Sequence, residues 1–373
     1  MQDKLLLPSV IYGTTGIEMN LYFANVFTCI NPKNYFFKFH CAIGRCDQER
    51  WRCIPTAENI GSHEAEIEVF NDSGMVASGK CQVVVSGAES AAGKRLRLLM
   101  IGDSLTDQTC YPADLHKLCV SNKINLTMLG TNIPLEFREF PGGKAINYPP
   151  EKELEGVRHE GWGGWSASTF LYRDKPIENE IYYHWNNASP FINAEGVFDF
   201  KGYIDRNCDG IAPDVIILAL GGNDMITVNP ENKQKVIGRF LENIQKLYQL
   251  LRKDAPDARF GIVLEPYGSM DQASWGKSHG CQFFAWDRRA LVPEAYAEMV
   301  KIFSNEKNCS IVPLYTAVDP INGYHRSMER CFEGSPRIVE RGTDSLHPSP
   351  AGYRQVANSA FSWLLDLLKD FSK

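Results

Sequence analysis

The chain carries a serine, an aspartate and a histidine whose types and spacing suit the transfer of an acyl group. Ser104 follows the apolar run LRLLMIGD, and Asp344 precedes His347 by three residues in the segment DSLHPSPAGY. A carboxylate can hold an imidazole in one tautomer and stabilise its cation, so that the other ring nitrogen takes a proton from a hydroxyl. The spacing lets one loop bring Asp344 and His347 to one site. The turn at Ser104 has a second interpretation, in which Ser104 or Asp103 only caps the following helix.

Two further motifs supply groups that can donate hydrogen bonds to an anion. The motif GGND ends with Asn223 and Asp224, and it lies between the apolar run VIILAL and a long helical segment, where a two-residue hairpin fits poorly. The segment RHEGWGGWSAST holds Gly161, Gly163 and Gly164, and the backbone N–H of a residue without a side chain can approach a ligand closely. The alternative is that this segment is a glycine-rich loop held by aromatic packing.

Apolar segments alternate with amphipathic segments from residue 95 onward, which predicts parallel strands covered by helices on both faces. The predicted strands are RLRLLMIG, INLTMLG, DVIILALGG, RFGIVLEPY and CSIVPLY. The last helix is expected to start at Pro350 with Ser349 as its cap, and the helix within RRALVPEAYAEMVKIFSN is expected to become regular only near Pro293. Ligands bind outside the carboxyl ends of parallel strands, so we expect the motifs that follow strands to converge there.

The first 90 residues differ from the rest of the chain. Short aromatic or β-branched runs such as YFFKFHCAI, EAEIEVF and CQVVVSG are separated by the turn sequences NPKN and NDSG. This pattern predicts a small antiparallel β-sandwich. A chain of 373 residues exceeds the usual size of a single core, so we expect an all-β accessory domain over residues 1–92 and an α/β domain over residues 93–373.

In their order along the chain, the segments GDSL, HEGWGGW, GGND and DSLH resemble the four sequence blocks of the GDSL/SGNH hydrolase superfamily. The resemblance spans residues 95 to 373. It implies a three-layer α/β/α, flavodoxin-like catalytic domain that hydrolyses esters without a metal or an organic cofactor.

The resemblance also implies a role for each matching residue. Ser104 would be the nucleophile, His347 the general base and Asp344 the group that orients it. The oxyanion would be held by the backbone N–H groups of Ser104 and Gly164 and by the side-chain amide of Asn223. Gly164 is chosen over the adjacent glycine because the glycine of the family stands directly before the tryptophan in such loops.

The substrate is suggested by tryptophans near these loops and by the predicted domain arrangement. Trp162, Trp165 and Trp185 are candidates for substrate binding, because aromatic faces pack well on sugar rings; the alternative is that they only pack the segment around them. Family members with an N-terminal β-sandwich are similar to carbohydrate O-deacetylases. We therefore expect a serine esterase that removes acetyl groups from a glycan. The alternatives are a short-chain lipase, thioesterase or general esterase, and a carbohydrate-binding protein with a non-catalytic hydrolase fold.

A competing nucleophile motif lies in the segment GKSHG, which matches the G-x-S-x-G pattern around Ser278. That pattern requires a buried strand before the serine and a helix after it. The polar sequence SMDQASW precedes it instead, so we do not expect Ser278 to be a nucleophile.

Composition excludes several classes of function. The net charge is -6 and no block of Lys and Arg stands out, so nucleic acid is not an expected partner. Runs such as VIILAL are too short for a membrane-spanning helix. The 11 cysteines lack the spacing of a zinc site.

The start MQDKLLLPSV lacks the apolar segment of a signal peptide, so we expect either a cytoplasmic protein or, where a signal was removed, a secreted or periplasmic one. The oligomeric state is left open.

Overall fold

The computed structural model describes residues 4–134, 149–176 and 187–371. The strands in these residues are β1 (Lys4–Leu5), β2 (Val10–Thr14), β3 (Met19–Tyr22), β4 (Phe27–Thr28), β5 (Phe36–Cys41), β6 (Arg45–Cys46), β7 (Arg50–Cys53), β8 (Gly61–Asn71), β9 (Gly74–Ser86), β10 (Arg95–Gly102), β11 (Asn125–Leu129), β12 (Glu160–Gly161), β13 (Val215–Ala219), β14 (Arg259–Val263), β15 (Cys309–Val312), β16 (Arg326–Arg330) and β17 (Ile338–Gly342).

The helices in the same residues are α1 (Phe23–Val26), α2 (Ser104–Asp107), α3 (Cys110–Ser121), α4 (Ala167–Tyr172), α5 (Phe200–Asn207), α6 (Lys233–Asp254), α7 (Gln272–His279), α8 (Ala285–Phe303) and α9 (Pro350–Leu368). Within the described ranges, no helix combines the length and apolarity that crossing a bilayer requires.

A parallel sheet with the strand order β11-β10-β13-β14-β15 forms the centre of the α/β part. Its strands are the apolar runs predicted from the sequence, and all five residues of β13 are buried, as expected for a strand covered on both faces. Helices flank the sheet, which confirms the predicted α/β fold class. The winding direction reverses between β10 and β13, where Gly102 pairs with Ala219. In sheets of this kind, the reversal is where ligands bind.

The helix that contains Pro293 corrects one prediction. It was expected to become regular near the proline, but α8 already begins at Ala285 and continues through it. Proline removes one hydrogen bond and crowds the preceding turn. Leu291 and Val292 before the proline and Tyr296 after it are almost fully buried. Burial of apolar residues on both sides of the proline therefore outweighs the local cost.

The chain divides into two compact units. Among the described residues, the first comprises those within 4–91, 266–294 and 313–371, and the second comprises those within 92–265 and 295–312. The predicted functional division at residue 92 stays a prediction.

The strands before residue 91 form separate small sheets, as expected for a small β domain. Their orders are β2-β9-β8-β5, β3-β7-β6 and β1-β4. The pairing is antiparallel except between β2 and β9, which run parallel.

The last helix belongs to the first unit and begins as predicted. The Ser349 hydroxyl accepts the N–H of Gly352 at 3.3 Å, and Pro350 occupies the first helical position. The helix packs against β2 and β9, and the hydroxyls of Thr14 and Ser362 lie 2.9 Å apart.

Candidate active site

Ser104 is the first residue of α2, two residues after Gly102 at the carboxyl end of β10. The cap of this helix is Asp103, whose Oδ1 accepts the N–H of Leu105 at 2.9 Å. The capping role therefore falls to the aspartate and not to the serine. Gly102 is required before it, because a Cβ at this position would lie 3.1 Å from the carbonyl oxygen of Ala219 and would overlap the side chain of Thr106.

Asn223 lies in the turn after β13 and connects two of the predicted motifs. Its Nδ2 donates to the carbonyl oxygen of Trp165 at 2.9 Å and lies 3.5 Å from Oδ2 of Asp103. The neighbouring Gly222 donates its N–H to Oε2 of Glu265 at 3.0 Å, and a Cβ at Gly222 would collide with the Asp103 carboxylate. The structure thus brings the GDSL, GGND and glycine-rich segments together at the reversal point of the sheet.

The backbone N–H groups of the two adjacent glycines in the glycine-rich loop differ in their hydrogen bonding. The N–H of Gly163 donates to Oδ2 of Asp107 at 3.0 Å. Gly164 has a φ of +75°, and a Cβ there would meet open space. Among the residues that the structure describes, the N–H of Gly164 has no hydrogen-bond acceptor.

The buried carboxylate of Glu160 anchors the glycine-rich loop. Glu160 is fully buried, and its oxygens accept hydrogen bonds from Trp162 Nε1 at 3.0 Å, from the Tyr203 hydroxyl at 2.7 Å and from the N–H of Thr131 at 2.6 Å. Burial raises the pKa of the Glu160 carboxyl, and these hydrogen bonds oppose the shift. The sequence analysis did not identify this anchor.

The tryptophans proposed for substrate binding take part in packing. Trp162 and Trp165 are 3% and 1% exposed, and their rings stack with centroids 5.6 Å apart. This burial favours the packing alternative for both residues. Trp185 lies outside the described residues.

Asp344 and His347 form the expected hydrogen-bonded pair. Oδ2 of Asp344 lies 3.1 Å from Nδ1 of His347, and Oδ1 accepts the N–H groups of Leu346 and His347, both at 2.9 Å. Burial alone would raise the pKa of Asp344, but the interactions with the His347 side chain and these N–H groups outweigh it and lower that pKa to about 2. The carboxylate is therefore ionised at neutral pH and fixes Nδ1 as the ring nitrogen that faces it.

Ser345, between these two residues, is held at each of its polar groups. Its N–H donates to Oγ of Ser278 at 3.1 Å, its hydroxyl lies 3.0 Å from Nε2 of His279, and its carbonyl oxygen accepts the N–H of Ser269 at 2.7 Å. Gly268 has a φ of +94°, and a Cβ there would lie 2.7 Å from the same carbonyl oxygen. Ser278 lies within α7, so the GKSHG segment serves here as an anchor for the loop that carries His347.

The candidate residues are divided between the two compact units. Ser104, Gly164 and Asn223 belong to the second unit, and Asp344 and His347 belong to the first. Over the described part of the chain, no group of three or more histidine, cysteine, aspartate or glutamate side chains is arranged to hold a metal ion.

Comparison with known proteins gives one family match. A family model described as GDSL-like Lipase/Acylhydrolase matches residues 98–360. The search of curated proteins found no significant match.

Two solved structures are among those that match. A family 3 carbohydrate esterase from Clostridium thermocellum is 16% identical, with a TM-score of 0.43 over 74% of this chain and 98% of that one. A carbohydrate acetylesterase family member from Sinorhizobium meliloti is 14% identical, with a TM-score of 0.41 over 73% of this chain and 99% of that one. Similarity at this level carries no argument about substrate.

Proposed function

Since the chain belongs to the GDSL-like lipase/acylhydrolase family, we propose that it is a serine esterase that removes short acyl groups, above all acetyl groups, from a carbohydrate. The observation that carries the proposal is the contact of Asn223 with Asp103, the residue directly before Ser104. It brings a side-chain amide close to the proposed nucleophile at the reversal point of a parallel sheet, where ligands bind.

The proposed reaction proceeds through an acyl-enzyme. Oγ of Ser104 attacks the ester carbonyl, and Nε2 of His347 takes the hydroxyl proton. The tetrahedral intermediate expels the alcohol, which takes the proton back from the imidazolium. A water molecule then attacks the acyl-serine with the same base, and the carboxylic acid leaves as Ser104 regains its proton. The ionised Asp344 orients the imidazole and stabilises its cation during both steps.

The proposed oxyanion donors are the N–H groups of Ser104 and Gly164 and the amide of Asn223. The hydrogen bonds of the loop support Gly164 over Gly163, because the N–H of Gly163 is already bonded to Asp107. Nδ2 of Asn223 carries two N–H groups: one donates to Trp165, and the other makes the longer contact of 3.5 Å with Asp103, which an oxyanion would replace as the acceptor.

A carbohydrate alcohol is supported by the surroundings of Asn223. The cavity beside it is lined mainly by hydroxyl, amide and charged side chains, including Ser168, Thr227 and Asn232. Such a lining suits a polyhydroxylated molecule better than a long acyl chain, which needs apolar surface.

The decisive experiment is acetate release from acetylated glycans such as acetylated xylan, with wild-type protein and the Ser104→Ala variant. We expect wild-type protein to release acetate and to hydrolyse 4-nitrophenyl acetate faster than 4-nitrophenyl octanoate. Faster turnover of the octanoate ester, with no acetate released, would favour a lipase or general esterase. A fluorophosphonate probe tests the non-catalytic alternative, since a carbohydrate-binding protein without esterase activity would not be labelled at Ser104.

A further inference from the structure

A cavity of about 370 Å³ lies beside Asn223 in the second unit. Its walls come from the start of α4, from the turn after β13 and from one face of α6. None of the mechanistic steps above uses the residues of α6. The contribution of these α6 side chains to ligand binding is therefore a separate question.

One face of α6 lines this cavity with two cationic side chains and one amide. Lys235, Arg239 and Asn243 follow one another at intervals of four residues and all line it. In the described ranges, neither Lys235 nor Arg239 forms an ion pair with a carboxylate. Lys235 lies in the first turn of α6, where a cation is unfavourable next to the positive end of the helix dipole and no acidic residue offsets it. Lys235 and Arg239 are both exposed, so their charges are accessible to a ligand that enters the cavity.

Asn243 provides an independent observation at the same cavity. It is only 9% exposed, and its side-chain amide forms no hydrogen bond with any residue in the described part of the chain. Its amide atoms are not among the side-chain atoms of the described residues that are cut off from solvent without a partner, so they are accessible from the cavity that Asn243 lines. An oxygen-bearing ligand in the cavity would satisfy this amide.

We propose that this cavity binds an anionic group on the sugar part of the ester substrate, so that the enzyme selects acidic over neutral acetylated glycans. A carboxylate and a sulfate share the required chemistry, since both accept hydrogen bonds from Arg239, Lys235 and Asn243. The inference rests on the proposed esterase function.

Asp224 is the carboxylate that also lines the cavity. Its oxygens accept the N–H of Ala167 at 3.1 and 3.2 Å. Burial, with a further contribution from the charge of Asp103, raises the pKa of Asp224 to about 7 despite this hydrogen bond. Part of the population therefore carries no charge on Asp224 at neutral pH, which reduces its repulsion of an anion. The two cations then dominate the charge of the cavity.

The test has a binding arm that does not require catalysis. Glucuronate, glucose 6-sulfate and glucose are titrated into the Ser104→Ala protein, alone and combined with Arg239→Gln or Lys235→Gln. We expect at least one of the two anionic sugars to bind roughly tenfold or more tightly than glucose, and Arg239→Gln to remove most of that difference. The two anionic sugars distinguish a carboxylate from a sulfate as the preferred group. Equal binding of all three sugars would overturn the inference.

The kinetic arm compares acetylated glucuronic acid with peracetylated glucose. The ratio of their kcat/KM values is expected to fall roughly tenfold in Arg239→Gln, mainly through KM, and less in Lys235→Gln. Lys253→Gln is the matched control, because it removes one positive charge from the last turn of the same helix and lies outside the cavity. An unchanged ratio in both cavity variants would contradict the inference. If wild-type protein hydrolyses neither ester, the proposed function fails, and the binding arm still decides whether the cavity recognises anions.

Discussion

The carboxylate oxygen Oδ2 of Asp103 lies 3.5 Å from Nδ2 of Asn223. The other oxygen of Asp103 accepts the N–H of Leu105, so one side chain caps the helix that begins with Ser104 and also reaches the turn after β13. Asp103 is 2% exposed. This buried carboxylate links the proposed nucleophile to a proposed oxyanion donor, and the placement of each depends on the other.

The proposed roles predict a graded loss of activity at these two positions. Ser104→Ala removes the nucleophile and is expected to lower turnover of 4-nitrophenyl acetate by on the order of 10⁶-fold. Asn223→Ala removes one oxyanion donor among several and is expected to cost about 10²–10³-fold. Initial rates and circular dichroism of both variants provide the comparison. Wild-type turnover in Ser104→Ala, or a loss in Asn223→Ala as complete as in Ser104→Ala, would refute this assignment.

The contact of Gly222 with Asp103 predicts a large effect from a single added methyl group. In Gly222→Ala the new Cβ would push the Asp103 carboxylate away from Asn223, and we expect roughly 100-fold lower kcat from the displaced groups. Gly238→Ala is the matched control, since Gly238 lies inside α6 and a Cβ there meets open space. That control is expected to stabilise the fold by about 0.5–1 kcal/mol. Unchanged kcat in Gly222→Ala would show that this contact does not position the site.

We expect Ser278 to affect kcat by positioning the loop that carries His347. Ser278→Ala removes the acceptor of the Ser345 N–H, and we expect roughly tenfold lower kcat with little change in KM, together with a loss of about 1 kcal/mol in unfolding free energy. Ser278→Thr keeps a hydroxyl and should restore most of kcat. Lys277→Ala on the same helix is the control, because Lys277 pairs with Glu329 and not with this loop. Steady-state kinetics and urea denaturation measure both effects, and equal kcat in Ser278→Ala and wild type would contradict the expectation.

The low pKa of Asp344 predicts a stability difference that depends on pH. Its value of about 2 in the folded protein lies below the 3.8 of an unperturbed aspartate, so ionised Asp344 stabilises the fold above pH 4. That contribution is lost as the pH falls through 2. We expect Asp344→Asn to be less stable than wild type by roughly 2 kcal/mol at pH 6, and the gap to narrow by about half at pH 3. Urea denaturation at both pH values measures the gap.

Asp72→Asn serves as the control for this experiment, because Asp72 is an exposed loop residue in the turn between β8 and β9. Its stability should match that of wild type at both pH values. If the difference in unfolding free energy between wild type and Asp344→Asn stays the same across this pH range, that result would argue against the ionised Asp344–His347 pair.

The parts of the fold that depend on local sequence were predictable. The apolar runs of β10 and β13, the cap at Ser349 and the proline after it are determined by residues that lie next to one another in the chain. That Asp344 and His347 lie at one site was predictable for the same reason, since both residues share one short loop, but the orientation that forms their hydrogen bond was not.

The features that the sequence analysis missed depend on contacts between distant segments. Ser278 and Ser345 are hydrogen-bonded although 67 positions separate them, and nothing in the GKSHG segment indicates its partner. Tyr203 donates to Glu160, the acceptor of the Trp162 side chain, although 43 positions separate Tyr203 from Glu160. The passage of α8 through Pro293 likewise depends on burial that local propensity does not report.

Because Asp103 caps the helix, the structural role and the proposed chemical role belong to two neighbouring residues, Asp103 and Ser104. The hydroxyl of Ser104 can therefore be deleted without removing the group that ends the strand-to-helix turn. Under the proposed function, an inert form of this chain should keep its recognition surface and bind its carbohydrate ester as a lectin would. Immobilised on a resin, it would retain its natural ester long enough for mass spectrometry to identify it.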